Sequence, residues 1–382
     1  MLISGLFVGI ALGFVMQRGR FCVTGAFRDV WVTRNTRWLT AFMVVVAVQS
    51  IGVFALDAAG VISLDSGPFP WLATIVGGLI FGFAIVLAGG CATGTYYRAG
   101  EGLVGSWLAL ITYALFAAVM KTGPLAGFTT SMRSVTVEQS TFHSVLNVSP
   151  WILVAVLTGG VALAVRHHLS KPKFTMATPP PSKTGLAHLL FEKPWNAFAT
   201  AVVIGLIAIL AWPLSWATGR EAGLGITTPS SNAVNYLVTG DPELVDWGVF
   251  LVLGILVGSF IAAKGSGEFR IRIPDANTVH KSLGGGALMG VGAALAGGCT
   301  IGNAMVETAQ FSFQGWTALV CMILGTGLAA RLTIMKRRPP APAGTASRAA
   351  SSAASQTAPA AAGARSRRRP HPMTRCHPTT HC

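Results

Sequence analysis

Three of the six cysteines in this 382-residue chain lie beside glycine in settings that suit anion chemistry. Gly-Gly-Cys-Ala-Thr-Gly occupies residues 89–94 and Gly-Gly-Cys-Thr-Ile-Gly residues 297–302, while a third cysteine falls within Arg-Gly-Arg-Phe-Cys-Val-Thr-Gly at 18–25. Paired glycines leave helical geometry at little steric cost. A turn at Gly89 and Gly90, or at Gly297 and Gly298, predicts a concavity of backbone N–H groups, strengthened if a short helix starts after the thiol. Thr93 and Thr300 supply hydroxyls beside Cys91 and Cys299, and Gly94 and Gly302 close the two motifs. A thiol is a weak donor and a soft, polarisable group, suited to a sulfur-bearing anion. Arg18, Arg20 and Arg98 are candidates for drawing such an anion in, although Arg98 also has Glu101 nearby as a local partner. Cys22 sits in a loop whose small and apolar residues allow it to fold back into the protein. Cys321, inside an apolar run, reads as packing.

The elements that would position these groups are membrane helices. With 52% hydrophobic and 11% charged residues, the composition lies outside the range of soluble domains. Nine apolar stretches approach the roughly 17–25 residues a crossing requires, near 2–17, 38–57, 70–88, 103–122, 150–166, 195–217, 246–263, 283–298 and 315–333. Positive charge follows the first stretch rather than preceding it, unlike a secretion signal. If alternate loops face opposite sides, all of the 28 Lys and Arg except Lys121, Arg133 and Arg220 fall on one side. That asymmetry predicts a periplasmic amino terminus and a cytoplasmic carboxyl terminus. The net charge of +15 is then explained by attraction to anionic headgroups and calls for no nucleic acid.

The segment 77–94 aligns with 285–302 in 9 of 18 positions, and on the charge-derived topology the two run in opposite directions. The expected fold is an all-α polytopic membrane protein of about nine transmembrane helices, in two pseudo-symmetric inverted repeats with re-entrant loops or broken helices. Residues 1–166 form the first repeat with an extra helix, 167–194 a polar cytoplasmic linker, and 195–335 the second repeat. Residues 336–382 form a basic tail rich in Pro, Ala and Ser, expected to be disordered. The tail ends Arg-Cys-His-Pro-Thr-Thr-His-Cys, whose Cys376, His377, His381 and Cys382 match no structural zinc spacing. No metal or other cofactor is expected.

Taken together, Arg-Gly-Arg-Phe-Cys-Val-Thr-Gly-Ala-Phe-Arg-Asp, Ala-Gly-Gly-Cys-Ala-Thr-Gly-Thr-Tyr-Tyr-Arg-Ala-Gly-Glu-Gly and Ala-Gly-Gly-Cys-Thr-Ile-Gly-Asn-Ala-Met resemble the YeeE/YedE sulfur-transport family over residues 1–335. The resemblance implies inner-membrane uptake of thiosulfate along a narrow path, with Cys22, Cys91 and Cys299 as the contacting thiols. It also implies a TusA-like cytoplasmic sulfurtransferase as partner, and its selenium-linked relatives leave another sulfur or selenium species as the alternative. The chain reads as a transporter or channel, not an enzyme. A membrane thiol oxidoreductase would be expected to carry a C-x-x-C pair, and a soft-metal carrier a Met-rich tract; neither is present. No Walker A sequence indicates ATP hydrolysis.

Overall fold

The computed structural model describes residues 1–64, 67–171 and 184–335; the metal-site reading of the final eight residues and the tail from 336 lie outside them. In lipid a helix satisfies its own backbone polar groups, and the described chain is built from helices, with strand pairing limited to isolated bridges. They are α1 (Ile3–Arg18), α2 (Val23–Val32), α3 (Arg37–Ala58), α4 (Trp71–Leu87), α5 (Ala92–Gly100), α6 (Val104–Lys121), α7 (Ala126–Arg133), α8 (Phe142–Leu146) and α9 (Pro150–Leu169). After these come the short α10 (Gly185–Ala187), α11 (Ala197–Trp216), α12 (Thr227–Thr239), α13 (Trp247–Ser266), α14 (Ala276–Ala296) and α15 (Phe313–Thr333). A π-helical segment, Gly302–Glu307, lies between the last two.

Among the described residues, eight passes are long and apolar enough to cross a membrane, and α1 with α2, and α4 with α5, each form one 30-residue pass. The ninth long helix is α14. It has 21 residues, but Asn277, His280, Lys281 and a run of glycines lower its hydropathy. The polar residues form its exposed first turns, and the glycines lie where α14 packs between α4 and α6. A Cβ on Gly285 would strike the Ala88 backbone, and one on Gly290 the backbone at Tyr113 and Ala117. Glycine therefore sets the interhelix distance here, the usual device where apolar attraction between helices is weak.

The same device runs along α1, where Gly5, Gly9 and Gly13 meet Trp247, Leu251 and Ile255 of α13, so the two helices run parallel. A second parallel pair is formed by α3 and α11, with Gly205 on Val45 and Val48 and Gly52 on Ile209. The packing is mirrored elsewhere: α4 lies on α15 as α14 lies on α6, and α2 lies on α15 as α12 lies on α6. Helix α9 stands outside this scheme. It packs on α3, and Val154 is its only fully buried residue.

Between α10 and α11 the chain forms a π-turn over His188–Glu192 that docks on α1. Arg18 Nε donates to the Leu190 carbonyl at 2.7 Å, Arg18 Nη2 to the Lys193 carbonyl at 3.3 Å, and the Phe191 ring packs edge-on against Phe14.

Candidate functional site

Two of the three thiols, Cys22 and Cys91, cap a short helix in the same way. Cys22 Sγ accepts from the Gly25 N–H at 3.4 Å at the start of α2, and Cys91 Sγ accepts from the Gly94 N–H at 3.4 Å at the start of α5. Cys299 precedes the π-helical segment without capping it, its sulfur lying near the Gly302 and Ile301 N–H groups. The repeated unit is C-x-x-G, with the glycine nitrogen facing the sulfur three residues on. A sulfur that accepts from a helix N-terminus leaves its own S–H to point elsewhere, toward any acceptor in the path. All three are free thiols, half-buried at Cys22 and fully buried at Cys91 and Cys299.

The paired glycines divide their labour. Gly89 and Gly297 adopt left-handed backbone, φ 72° and 83°, which turns the chain out of α4 and α14. Gly90 and Gly298 provide room: a Cβ would lie 3.4 Å from the Gly94 backbone in the first case and 3.3 Å from Asn303 in the second. Each break strands carbonyls at membrane depth, and each is satisfied by a side chain. Arg98 Nη1 donates to the Gly89 carbonyl. At the other break Asn303 Nδ2 donates to the carbonyls of Ala296 at 2.8 Å and Gly298 at 3.1 Å, while Arg133 Nη1 reaches the Leu295 carbonyl at 3.0 Å. Gln314 Nε2 donates to Asn303 Oδ1 at 2.9 Å and fixes its orientation.

Two cavities approach this centre from opposite ends of the helices. One, of about 200 Å³, is lined by Arg220, Thr227, Cys299, Asn303, Glu307 and Trp212. The other, of about 260 Å³, is lined by Arg20, Cys22, Thr24, Arg28, Gly89 and Arg98. Trp212 lies near the end of α11 and Trp38, in the second cavity, at the start of the parallel helix α3, so the mouths face opposite sides. Cys91 lines neither cavity and lies close enough to Cys22 and to Cys299 to interact electrostatically with each.

The surroundings of the buried centre are polar but sparsely paired. Thr93 and Thr300 are fully buried; the Thr93 hydroxyl has no hydrogen-bond partner among the described residues, and the Thr300 hydroxyl lies against the Cys91 sulfur. Tyr113 donates to the Thr227 hydroxyl at 2.9 Å, and Thr227 lies against Cys299. Tyr96 meets Ser230 at 2.8 Å.

The candidate arginines have separate fates. Arg98 turns to Cys22, Nη2 to Sγ 3.5 Å, instead of pairing with Glu101, and no Arg98–Glu101 ion pair forms among the described residues. Arg20 lines the second cavity and holds Glu268 at 2.8 Å. Arg18 is buried and engaged by the Leu190 and Lys193 carbonyls, away from Cys22. Cys321 lies in neither cavity; its Cβ faces Gly78 in the α4–α15 contact. Sequence reasoning missed Arg133, Asn303, Thr227 and Arg220. Arg220 donates to the Gly223 carbonyl at 2.9 Å and to Ser215 Oγ at 3.1 Å, sitting 3.9 Å from Asp246. The triple C-x-x-G spacing was the visible signal for the glycine nitrogen beside each sulfur; these four contacts had none.

The chain is a multi-pass membrane protein whose broken helices meet between opposed cavities. The chain belongs to the sulphur transport family, whose model matches residues 18–328. It is 55% identical over 336 residues to the thiosulfate transporter TsuA of Escherichia coli (strain K12), covering 88% of this chain and 96% of that protein. It is 32% identical over 339 residues to the thiosulfate transporter TsuA of Spirochaeta thermophila, covering 85% and 97%. A shorter likeness, 44% identity over 101 residues, links it to the probable transporter YedE of Escherichia coli, over 26% of this chain and 24% of that protein.

Proposed function

We propose that the chain takes up thiosulfate across the bacterial inner membrane, through a path on which Cys299, Cys91 and Cys22 hand the anion inward by weak hydrogen bonds. The observation that carries this reading is that Cys299 lines one cavity and Cys22 the other, with Cys91 buried close to both thiols. Identity to two thiosulfate transporters along nearly their whole length supports the substrate. The asymmetry of Lys and Arg supports an orientation in which the Arg220 cavity opens to the periplasm and the Arg20 cavity to the cytoplasm.

The chemistry is that of a conductor. An uncharged thiol offers the terminal sulfur a soft donor without repelling a dianion, and the N-termini of the short helices add positive potential. The buried hydroxyl at Thr93 is ready to donate to the oxygens. Weak successive stations allow release, where a ring of free guanidinium groups would trap the ion. The mirrored packing of the two helix sets supports an inverted duplication comprising residues 1–166 and 195–335, joined by the 167–194 linker. The basic cytoplasmic face would meet lipid headgroups and a TusA-like sulfurtransferase.

Labelled thiosulfate uptake in a host stripped of its own sulfate and thiosulfate carriers tests the proposal. The intact protein should restore uptake, and Cys22→Ala and Cys299→Ala should lose most of it at equal membrane levels. Failure of the intact protein to move thiosulfate would overturn the substrate; normal uptake by both variants would overturn the thiol path.

A further inference from the structure

The cavity around Cys22 holds more chemistry than a thiol station uses. Its wall carries three guanidinium groups, Arg20, Arg28 and Arg98, and the start of α2. Two of the three are already clasped by carboxylates: Arg28 by Asp29, with Nε and Nη2 at 3.1 and 3.0 Å from Oδ1, and Arg20 by Glu268 at 2.8 Å. Glu268 is itself held from the other side, by Gln17 Nε2 at 2.8 Å. Arg98 faces the Cys22 sulfur and a backbone carbonyl instead. On the same wall Thr24, in the first turn of α2, is 4% exposed and its hydroxyl has no partner among the described residues, although a buried hydroxyl ordinarily finds one.

We infer that this cavity is a binding site for a tetrahedral oxyanion, recognised through its oxygens by Arg98, Thr24 and the N-terminus of α2. In it, Glu268 is a resident competitor that occupies Arg20 while the site is empty. Guanidinium, hydroxyl and helix N-terminus are all oxygen-reading donors, and none of them distinguishes a terminal sulfur. The site therefore takes sulfate or inorganic phosphate as well as thiosulfate. Selectivity for sulfur resides at the buried thiols, and the Arg20 mouth adds charge recognition without it. An anion arriving here draws Arg20 from Glu268, and the carboxylate recovers Arg20 as the anion departs. That exchange avoids the deep trap three free arginines would make. Binding does not depend on the transport proposal; only its consequence for flux, competition by sulfate at this mouth, rests on that reading.

The test is calorimetric titration of the purified full-length protein with sodium sulfate at constant ionic strength. The intact protein should bind saturably, Arg98→Met should abolish binding, and Thr24→Val should weaken it about tenfold by removing a charge-assisted hydrogen bond. Glu268→Gln should tighten it, by about threefold for an ion pair this exposed to solvent. A gain in affinity cannot come from a damaged fold, so this variant keeps the test decisive. Absence of saturable binding by the intact protein would overturn the inference, as would Glu268→Gln and Thr24→Val both binding like the intact protein. Sulfate binding by a protein that moves no thiosulfate would leave the site standing and defeat the transport reading alone.

Discussion

The two broken passes share the Gly-Gly-Cys sequence and the left-handed first glycine, yet they satisfy their severed backbones differently. After α4 the next helical segment is regular α-helix, and its own Arg98 bends back to the Gly89 carbonyl. After α14 the continuation is π-helical, and the cap is Asn303, seated on two carbonyls and braced by Gln314, with Arg133 arriving from α7. One break is closed by a charged, half-buried side chain that also touches a thiol; the other by a neutral, fully buried amide, with the half-buried Arg133 on a third carbonyl. The first cap can move without leaving an unpaired group beyond reach of water. The second cannot. The comparison assigns adaptability to the break at Cys91 and rigidity to the break at Cys299.

Substitutions that remove one cap at a time sharpen this contrast. The largest effect is expected for Asn303→Leu, which orphans two buried carbonyls and the Gln314 amide. Since each unsatisfied buried group costs roughly 1–3 kcal/mol, thermal unfolding in detergent should show a drop in Tm far larger than for any Arg98 variant. An Asn303→Leu protein as stable as Arg98→Met would erase the distinction. Next come the matched glycines. Gly297→Ala meets both an unfavourable φ and Arg133, 2.5 Å from the added Cβ. Gly89→Ala meets the φ penalty in open space, worth about 1–2 kcal/mol. The first should therefore lower Tm clearly more than the second, and equal losses would show that the Arg133 contact has no weight.

Arg98→Met should leave the fold nearly intact while reducing thiosulfate uptake several-fold and changing the alkylation rate of Cys22. Unchanged rates for both would mean that Arg98 caps and does nothing more. The smallest effect concerns pH. Burial, the largest single influence, opposes ionisation of Glu268, but the hydrogen bonds from Arg20 and Gln17 and the charges of Arg20 and Arg18 together outweigh it and hold the carboxyl below its ordinary value of 4.5. A depressed native value means that the clasp stabilises above the ordinary carboxylate range and fades as pH falls through the lowered value. Glu268→Gln should thus flatten stability on the acid limb and leave neutral pH almost unchanged, with a difference under about 1 kcal/mol for so exposed a pair.

Much of the architecture was legible in the chain. Apolar runs and the spacing of Lys and Arg gave the passes, and the 77–94 and 285–302 alignment gave the two breaks and their cysteines. What escaped were contacts between residues far apart in sequence: Arg133 with Leu295, Tyr113 with Thr227, Gln17 with Glu268. No local pattern encodes these, because a long polar side chain beside an apolar run reads as an interfacial anchor until the opposing carbonyl is known. Arg18 shows the converse. Its type and position suggested anion attraction, but the π-turn before α11 supplies two carbonyls that engage it. The composition of α14 also misleads in isolation, since its glycines suit a helix enclosed by α4 and α6 and poorly suit one facing lipid.

The central claim is that one path joins the two cavities through Cys91. The most direct test is labelled thiosulfate uptake by Cys91→Ala beside Cys321→Ala, each at the membrane level of the intact protein. Uptake abolished in the first and kept in the second is the expected result. Uptake kept in Cys91→Ala would contradict the path, whatever the other thiols do.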